Sequence, residues 1–152
     1  MKLIALGINH NSAAVEVRER VAFAPEQVTE ALTDACQASG VEEVVILSTC
    51  NRTEFYIVTS DGGRERLREW LQNDRNLDPG FSDSLFGMDG EDAIRHIFRV
   101  ACGLDSMVLG EPQILGQLKD AYRKAQETGT AGKQLSRLFQ HTFSVAKKVR
   151  TD

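Results

Sequence analysis

The stretch Val44-Val45-Ile46-Leu47-Ser48-Thr49-Cys50-Asn51-Arg52-Thr53-Glu54-Phe55-Tyr56-Ile57-Val58 decides the fold. Its two apolar runs, 44–47 and 55–58, are β-branched or aromatic and too short for helices, so both read as buried strands. The polar residues between them then lie at the rim of a sheet, and Cys50 is among them. A cysteine there has two readings. It is a small buried hydrophobe, as most free cysteines are. Or it is a nucleophile, because the positive charge of Arg52 two residues on favours the thiolate. Composition alone favours the first, and the polar loop narrows the gap.

Working outward, residues 2–8 read as a first strand that ends in the polar turn Asn9-His10-Asn11-Ser12, and 15–21 as a short charged helical piece. Pro25 suits the first turn of a helix. Val28, Ala31, Leu32 and Ala35 recur at helical spacing after it, and Gly40 stops the run. On the other side, Asp61-Gly62-Gly63 breaks the third strand, with Asp61 a candidate cap. Leu67, Trp70 and Leu71 form the stripe of a second helix. Asp78-Pro79-Gly80 is a turn, and 84–88 a weaker fourth strand. Residues 1–88 thus run strand-helix-strand-strand-helix-strand. That is the ferredoxin-like βαββαβ arrangement of the α+β class, with helices on one face of an antiparallel sheet.

From Asp89 onward the pattern is helical only, so 89–152 reads as a C-terminal helical extension. Asp89 can cap a helix whose apolar face is Ile94, Ile97, Phe98 and Ala101, ending before Gly103. Pro112 opens the next helix, with Leu115, Leu118, Ala121, Tyr122 and Ala125 inward and Gly129 closing it. Gly116 inside that helix costs roughly 1 kcal/mol against alanine, which close approach to its backbone or helix packing would explain. The last helix carries Leu135, Leu138, Phe139, Thr142, Val145 and Val149 on one side. It reaches Arg150-Thr151-Asp152 with no glycine or proline stop, as expected of a piece of a longer chain.

The chain has 152 residues and a net charge of -4, enough for one domain with a real core. No apolar run approaches a membrane span, and Met1-Lys2-Leu3 leads into a strand instead of a signal peptide. Cys36, Cys50 and Cys102 are odd in number and widely spaced, which fits a reducing cytoplasm better than a disulfide framework. The acidic balance argues against an all-over nucleic-acid coat. Lys133, Arg137, Lys147, Lys148 and Arg150 nevertheless cluster without an acid from 132 to 150, a face for phosphates or a solvated helix surface.

Histidines occur at 10, 96 and 141. On the expected helix His96 falls almost opposite the apolar stripe, beside Asp92, Arg95 and Arg99. It is either solvent-exposed or turned into a cleft as an acid–base partner for Cys50. His10 ends the first strand near the same sheet edge, and His141 is a surface or boundary residue. No pair of ligands has metal-site spacing. There is no Gly-x-Gly-x-x-Gly, and the segment from Gly110 to Gly116 lacks the Lys-Ser/Thr of a phosphate loop.

Ala5-Leu6-Gly7-Ile8-Asn9-His10, the segment from Leu47 to Glu54, and Gly103-Leu104-Asp105-Ser106-Met107-Val108-Leu109-Gly110-Glu111-Pro112-Gln113-Ile114-Leu115-Gly116-Gln117 together resemble the glutamyl-tRNA reductase family. The likeness runs on through Ser144-Val145-Ala146-Lys147-Lys148-Val149-Arg150 and is to the amino-terminal catalytic domain. The resemblance implies that Cys50 attacks the ester joining glutamate to its tRNA, and that NADPH, held by a further domain, reduces the resulting thioester to glutamate-1-semialdehyde for tetrapyrrole synthesis. It implies substrate contacts for Thr49, Asn51, Arg52, Ser106, Glu111, Pro112, Gln113 and Gln117, with Arg52 suited to the glutamate carboxylate. His96 matches the histidine needed for full activity, which favours the cleft reading. Cys36 and Cys102 match no functional position. The implied partners are glutamyl-tRNA, a second copy through a carboxy-terminal dimerisation domain, and glutamate-1-semialdehyde aminomutase, with no membrane. Without the cofactor domain these residues are expected not to reduce anything. The alternative is a non-catalytic module that docks tRNA or a partner through the basic last helix.

Overall fold

The computed structural model describes residues 1–104 and 113–151. Its sheet is antiparallel throughout, with β1 (Lys2–Asn9), β2 (Glu43–Ser48), β3 (Arg52–Thr59) and β4 (Phe86–Asp89) in the order β2-β3-β1-β4. The helices are α1 (Val15–Val21), α2 (Val28–Ser39), α3 (Gly63–Asp74), α4 (Gly90–Ala101), α5 (Gln113–Thr128) and α6 (Lys133–Thr151). This is the expected ferredoxin-like α+β arrangement with its helical C-terminal region. Gly40 ends α2 with φ of 68°, the left-handed conformation in which glycine has no Cβ penalty.

Side chains of β3 alternate between the two faces of the sheet, and both faces are covered. Phe55 meets Phe23 and Trp70 edge-on on the side of α2 and α3. Tyr56 packs instead on Phe139 of α6, and Phe139 stacks on Tyr122 of α5. Every residue of β3 is therefore buried. Antiparallel sheets commonly leave one face to water; here α4, α5 and α6 close it. Burial of a side chain such as Leu118 or Phe139 contributes about 1.5–3 kcal/mol each, and both join the sheet's core cluster, so the three C-terminal helices belong to the same core as the sheet.

One carboxylate ties the two parts together. Glu43 of β2, only 7% exposed, accepts the backbone N–H of Leu135 at 2.9 Å and of Gln134 at 3.3 Å. These are orphan donors of the first turn of α6, where a negative charge also meets the positive end of the helix dipole. A Cβ at Gly132 would come within 2.7 Å of the Glu43 carboxyl carbon, so glycine leaves the room this cap needs.

Several local expectations change. The N-cap of α3 is Gly62, not Asp61, and Asp89 occupies the N-cap of α4 without a side-chain cap bond, its carboxylate lying 3.5 Å from Arg64. The buried side of α4 is Ala93, His96, Ile97, Val100 and Ala101. It is turned away from the Ile94–Phe98 stripe because the sheet draws in the side that carries His96. A Cβ at Gly116 would meet nothing within 4 Å among the described residues. Val149 is 53% exposed, beyond the part of α6 that reaches the sheet.

Candidate active site

Strands β2 and β3 are joined by a tight connection. The Thr49 N–H donates to the Arg52 carbonyl at 2.7 Å, leaving Cys50 and Asn51 at its tip. The Asn51 N–H is held by Thr49 Oγ1 at 3.1 Å. Ser48 Oγ is bonded to Thr53 Oγ1 at 2.9 Å and accepts the Phe23 N–H at 2.9 Å, which anchors the base of the turn. Cys50 is exposed, whereas Cys36 and Cys102 are half-buried. The tip thus presents a thiol on a short, well-anchored loop.

Immediately inside, β3 points Arg52, Glu54 and Tyr56 to the face covered by the C-terminal helices, as strand periodicity requires. Arg52 donates to Glu54 Oε2 at 2.7 Å, and the pair is 1% and 0% exposed. Tyr56 Oη donates to Glu54 Oε1 at 2.7 Å. His96 Nε2, from α4, lies 2.6 Å from the same Oε1 and is itself 4% exposed. Burial pushes the Glu54 carboxyl up. The hydrogen bond and charge of His96, the Arg52 charge and the Tyr56 hydroxyl outweigh it, so the group is held below the usual carboxylate range. Across the sheet Gly7 pairs with Glu54 and Asn9 with Arg52. A Cβ at Gly7 would collide with the Thr53 carbonyl and reach within 2.7 Å of Glu54 Cα. Glycine is what lets β1 close on the strand that carries the cluster.

A groove of about 460 Å³ runs from Cys50 and Thr49 past Ser48 to Phe23 and Pro25. A second, about 290 Å³, shares Phe23, Pro25 and Ser48 and continues to Gln117 and Lys124 of α5. Lys124 Nζ donates to the Pro25 carbonyl at 3.1 Å and bridges its walls.

Thr49, Cys50, Asn51 and Arg52 are therefore gathered in one turn, His96 is tied to Arg52 through Glu54, and Gln117 lies farther along the groove. Gln113 is exposed at the start of α5. Ser106, Glu111 and Pro112 lie outside the described residues. His96 is not the solvent-exposed group of one sequence reading. Among the described residues it has no hydrogen bond to Cys50, its Nε2 being engaged by Glu54. Glu54 and Tyr56 were missed. Their signal was the alternation Arg52-x-Glu54-x-Tyr56 inside an apolar strand, which puts a carboxylate where only a paired one is tolerated. No group of three His, Cys, Asp or Glu residues among the described ones is arranged to hold a metal.

The model of the family "Glutamyl-tRNAGlu reductase, N-terminal domain" matches residues 6–152. The chain belongs to the glutamyl-tRNA reductase family. The glutamyl-tRNA reductase of Nitrosococcus oceani is 52% identical over 153 residues, covering 100% of this chain and 36% of that protein. That of Marinobacter nauticus is 55% identical over 152 residues, covering 99% of this chain and 35% of the relative. Among solved structures, glutamyl-tRNA reductase from Methanopyrus kandleri superposes with a TM-score of 0.80 at 36% identity, over 98% of this chain and 34% of that one. The chain thus spans about a third of the length of the reductases it matches.

Proposed function

We propose that this chain is the acyl-transfer unit of a glutamyl-tRNA reductase, with Cys50 as nucleophile. The observation that carries the reading is the exposed Cys50 at the tip of an anchored turn, directly ahead of the buried Arg52–Glu54–His96 cluster. The Cys50 thiolate attacks the carbonyl carbon of the ester between glutamate and the terminal ribose of tRNA. The Cys50 Sγ–C bond forms and the C–O bond to the ribose breaks. The ribose oxygen leaves with the electron pair and takes a proton, for which His96 is the candidate donor. The product is a glutamyl thioester on Cys50 and free tRNA. Covalent capture splits one difficult step in two, and a thioester carbonyl is the better acceptor for a later reduction.

In this reading Thr49, Asn51 and Arg52 line the glutamyl group beside Cys50, while Gln117 and Gln113, with Ser106, Glu111 and Pro112, contact the substrate farther out. Residues 1–88 and 89–152 act as one catalytic unit. NADPH is the reductant the complete reaction calls for, but these residues do not fit it. There is no Gly-x-Gly-x-x-Gly, and the described sheet is antiparallel throughout, without the parallel strand–turn–helix unit that cradles a dinucleotide. We assign NADPH binding, dimerisation and any complex with glutamate-1-semialdehyde aminomutase to residues outside this chain. We place the protein in the cytoplasm, where three unpaired cysteines stay reduced. No helix among the described residues is long and apolar enough to cross a membrane.

The test is transfer of labelled glutamate from glutamyl-tRNA to protein. Label should move to the wild-type chain and not to Cys50→Ser. Exposed Lys133 and Arg137 on α6 favour a second reading, a tRNA-docking module. It predicts equal tRNA binding and no label transfer in either protein, with binding lost on charge reversal along α6.

A further inference from the structure

The carboxylate at the centre of the cluster has a task that the acyl transfer above leaves unassigned. Glu54 is fully buried and all its partners are polar: Arg52 on Oε2, with Tyr56 and His96 on Oε1. A buried ion pair of this kind is weak evidence for stability, since well-packed apolar side chains often do as well. What the arrangement does fix is a ring. An ionised carboxylate only accepts hydrogen bonds. His96 Nε2 at 2.6 Å must then carry a proton whether the ring is neutral or charged. Nδ1 makes no hydrogen bond among the described residues and is the remaining nitrogen.

Among the described residues no further hydrogen bond competes for the ring. From β3 the groups facing it are Glu54, with Arg52 and Tyr56 behind. β4 offers the Phe86 ring, 5.2 Å away, and β1 places Gly7 opposite Glu54. On α6, His141 packs on Phe98 instead. Two bonds besides that of His96 hold Glu54, so its oxygens cannot swing away from the ring.

We propose that Glu54 is a positioning residue for the acyl transfer, holding His96 by Nε2 so that Nδ1 is the nitrogen that gives up and takes back the proton. The proposal rests on the reading of this chain as the acyl-transfer unit. Glu54 does not touch substrate in it. It acts through His96, as the carboxylate behind a working histidine does in unrelated enzymes.

Two measurements test it. Nitrogen-15 NMR of imidazole-labelled chain at neutral pH should show the proton on His96 Nε2 as a slowly exchanging resonance, with Nδ1 bare. In Glu54→Gln the Nε2–H exchange should accelerate by about tenfold or more, because the neutral amide accepts a weaker bond. A ring protonated on Nδ1 and bare on Nε2 would overturn the proposal. The second measurement is single-turnover glutamyl transfer to Cys50 against pH. Glu54→Gln should slow it roughly 10- to 100-fold and displace the pH profile, with tRNA affinity changed less than about twofold. A folded Glu54→Gln chain with wild-type rate and profile would overturn it. If that variant fails to fold, Tyr56→Phe, which removes one of the bonds fixing Glu54, should lower the rate and displace the profile in the same direction. An unchanged rate and profile there would overturn the proposal equally. If the wild-type chain transfers no glutamate, the acyl-transfer reading fails, and the NMR result alone decides whether Glu54 sets the ring.

Discussion

Replacing Tyr56 by Phe removes a single oxygen from the cluster and leaves the ring where it packs on Phe139. The lost bond is 2.7 Å long and is donated to a carboxylate with no exposure. Hydrogen bonds to charged groups contribute about 1.5–3 kcal/mol, so the variant should lose about that much at neutral pH. For a domain of this size this corresponds to a fall in Tm of roughly 3–12 °C. The loss should depend on pH. The folded Glu54 carboxyl is held below its ordinary value. The stability its partners supply is therefore present above the unfolded value, about 4.3, and fades as pH falls through the lower folded value. Once Glu54 is protonated, Tyr56 bonds a neutral group worth about 1 kcal/mol, and the gap between wild type and variant should narrow by about half. Urea unfolding of both proteins at pH 7 and at successively lower pH, down to where Glu54 protonates in the folded chain, measures this directly. A loss under about 0.5 kcal/mol at pH 7 would refute the claim that the hydroxyl serves a buried anion. So would a loss that stays the same once Glu54 has protonated in the folded chain.

Arg52→Met should destabilise by about 3–5 kcal/mol, because it leaves Glu54 buried without its cation; denaturant midpoints near those of wild type would contradict the pairing. Glu43→Gln should cost about 1 kcal/mol through the cap and dipole of α6, and amide exchange at Gln134 and Leu135 should accelerate selectively. Iodoacetamide at pH 7.5 should modify Cys50 well before Cys36, since Cys50 is exposed while burial pushes the Cys36 thiol up and alkylation requires thiolate and access. Peptide mass mapping reads the order, and Cys36 first would contradict the placement of the turn.

The order of elements was legible because each strand and helix carries its own period, and βαββαβ with antiparallel pairing leaves few arrangements. The turn at Cys50 was equally plain, being a polar break between two apolar runs. What escaped was which face of the sheet would stay wet. In β3 the alternating set Thr53, Phe55 and Ile57 points to α2 and α3. Helices were expected on one face only, whereas Arg52, Glu54 and Tyr56 lie on the opposite face, which α4 and α6 cover. For the same reason periodicity alone left His96 between an exposed position and a cleft, and the resemblance favoured the cleft in which it lies. A rotation of α4 by part of a turn moves it from the outer side to the centre of the buried one, and apolar spacing alone did not fix that rotation. Its partner Glu54 is 42 positions away, a pairing that only the packed structure brings together. Gly7 read as one more strand residue; its need became visible once register placed it against Glu54.

The central claim is that Cys50 captures glutamate, and the most direct test is intact-mass spectrometry after mixing the chain with glutamyl-tRNA at neutral pH. The account predicts a gain of one glutamyl group, mapped to the peptide carrying Cys50, cleaved by hydroxylamine and absent in Cys50→Ser. An unmodified protein with its tRNA still charged, or an adduct that survives in Cys50→Ser, would contradict it.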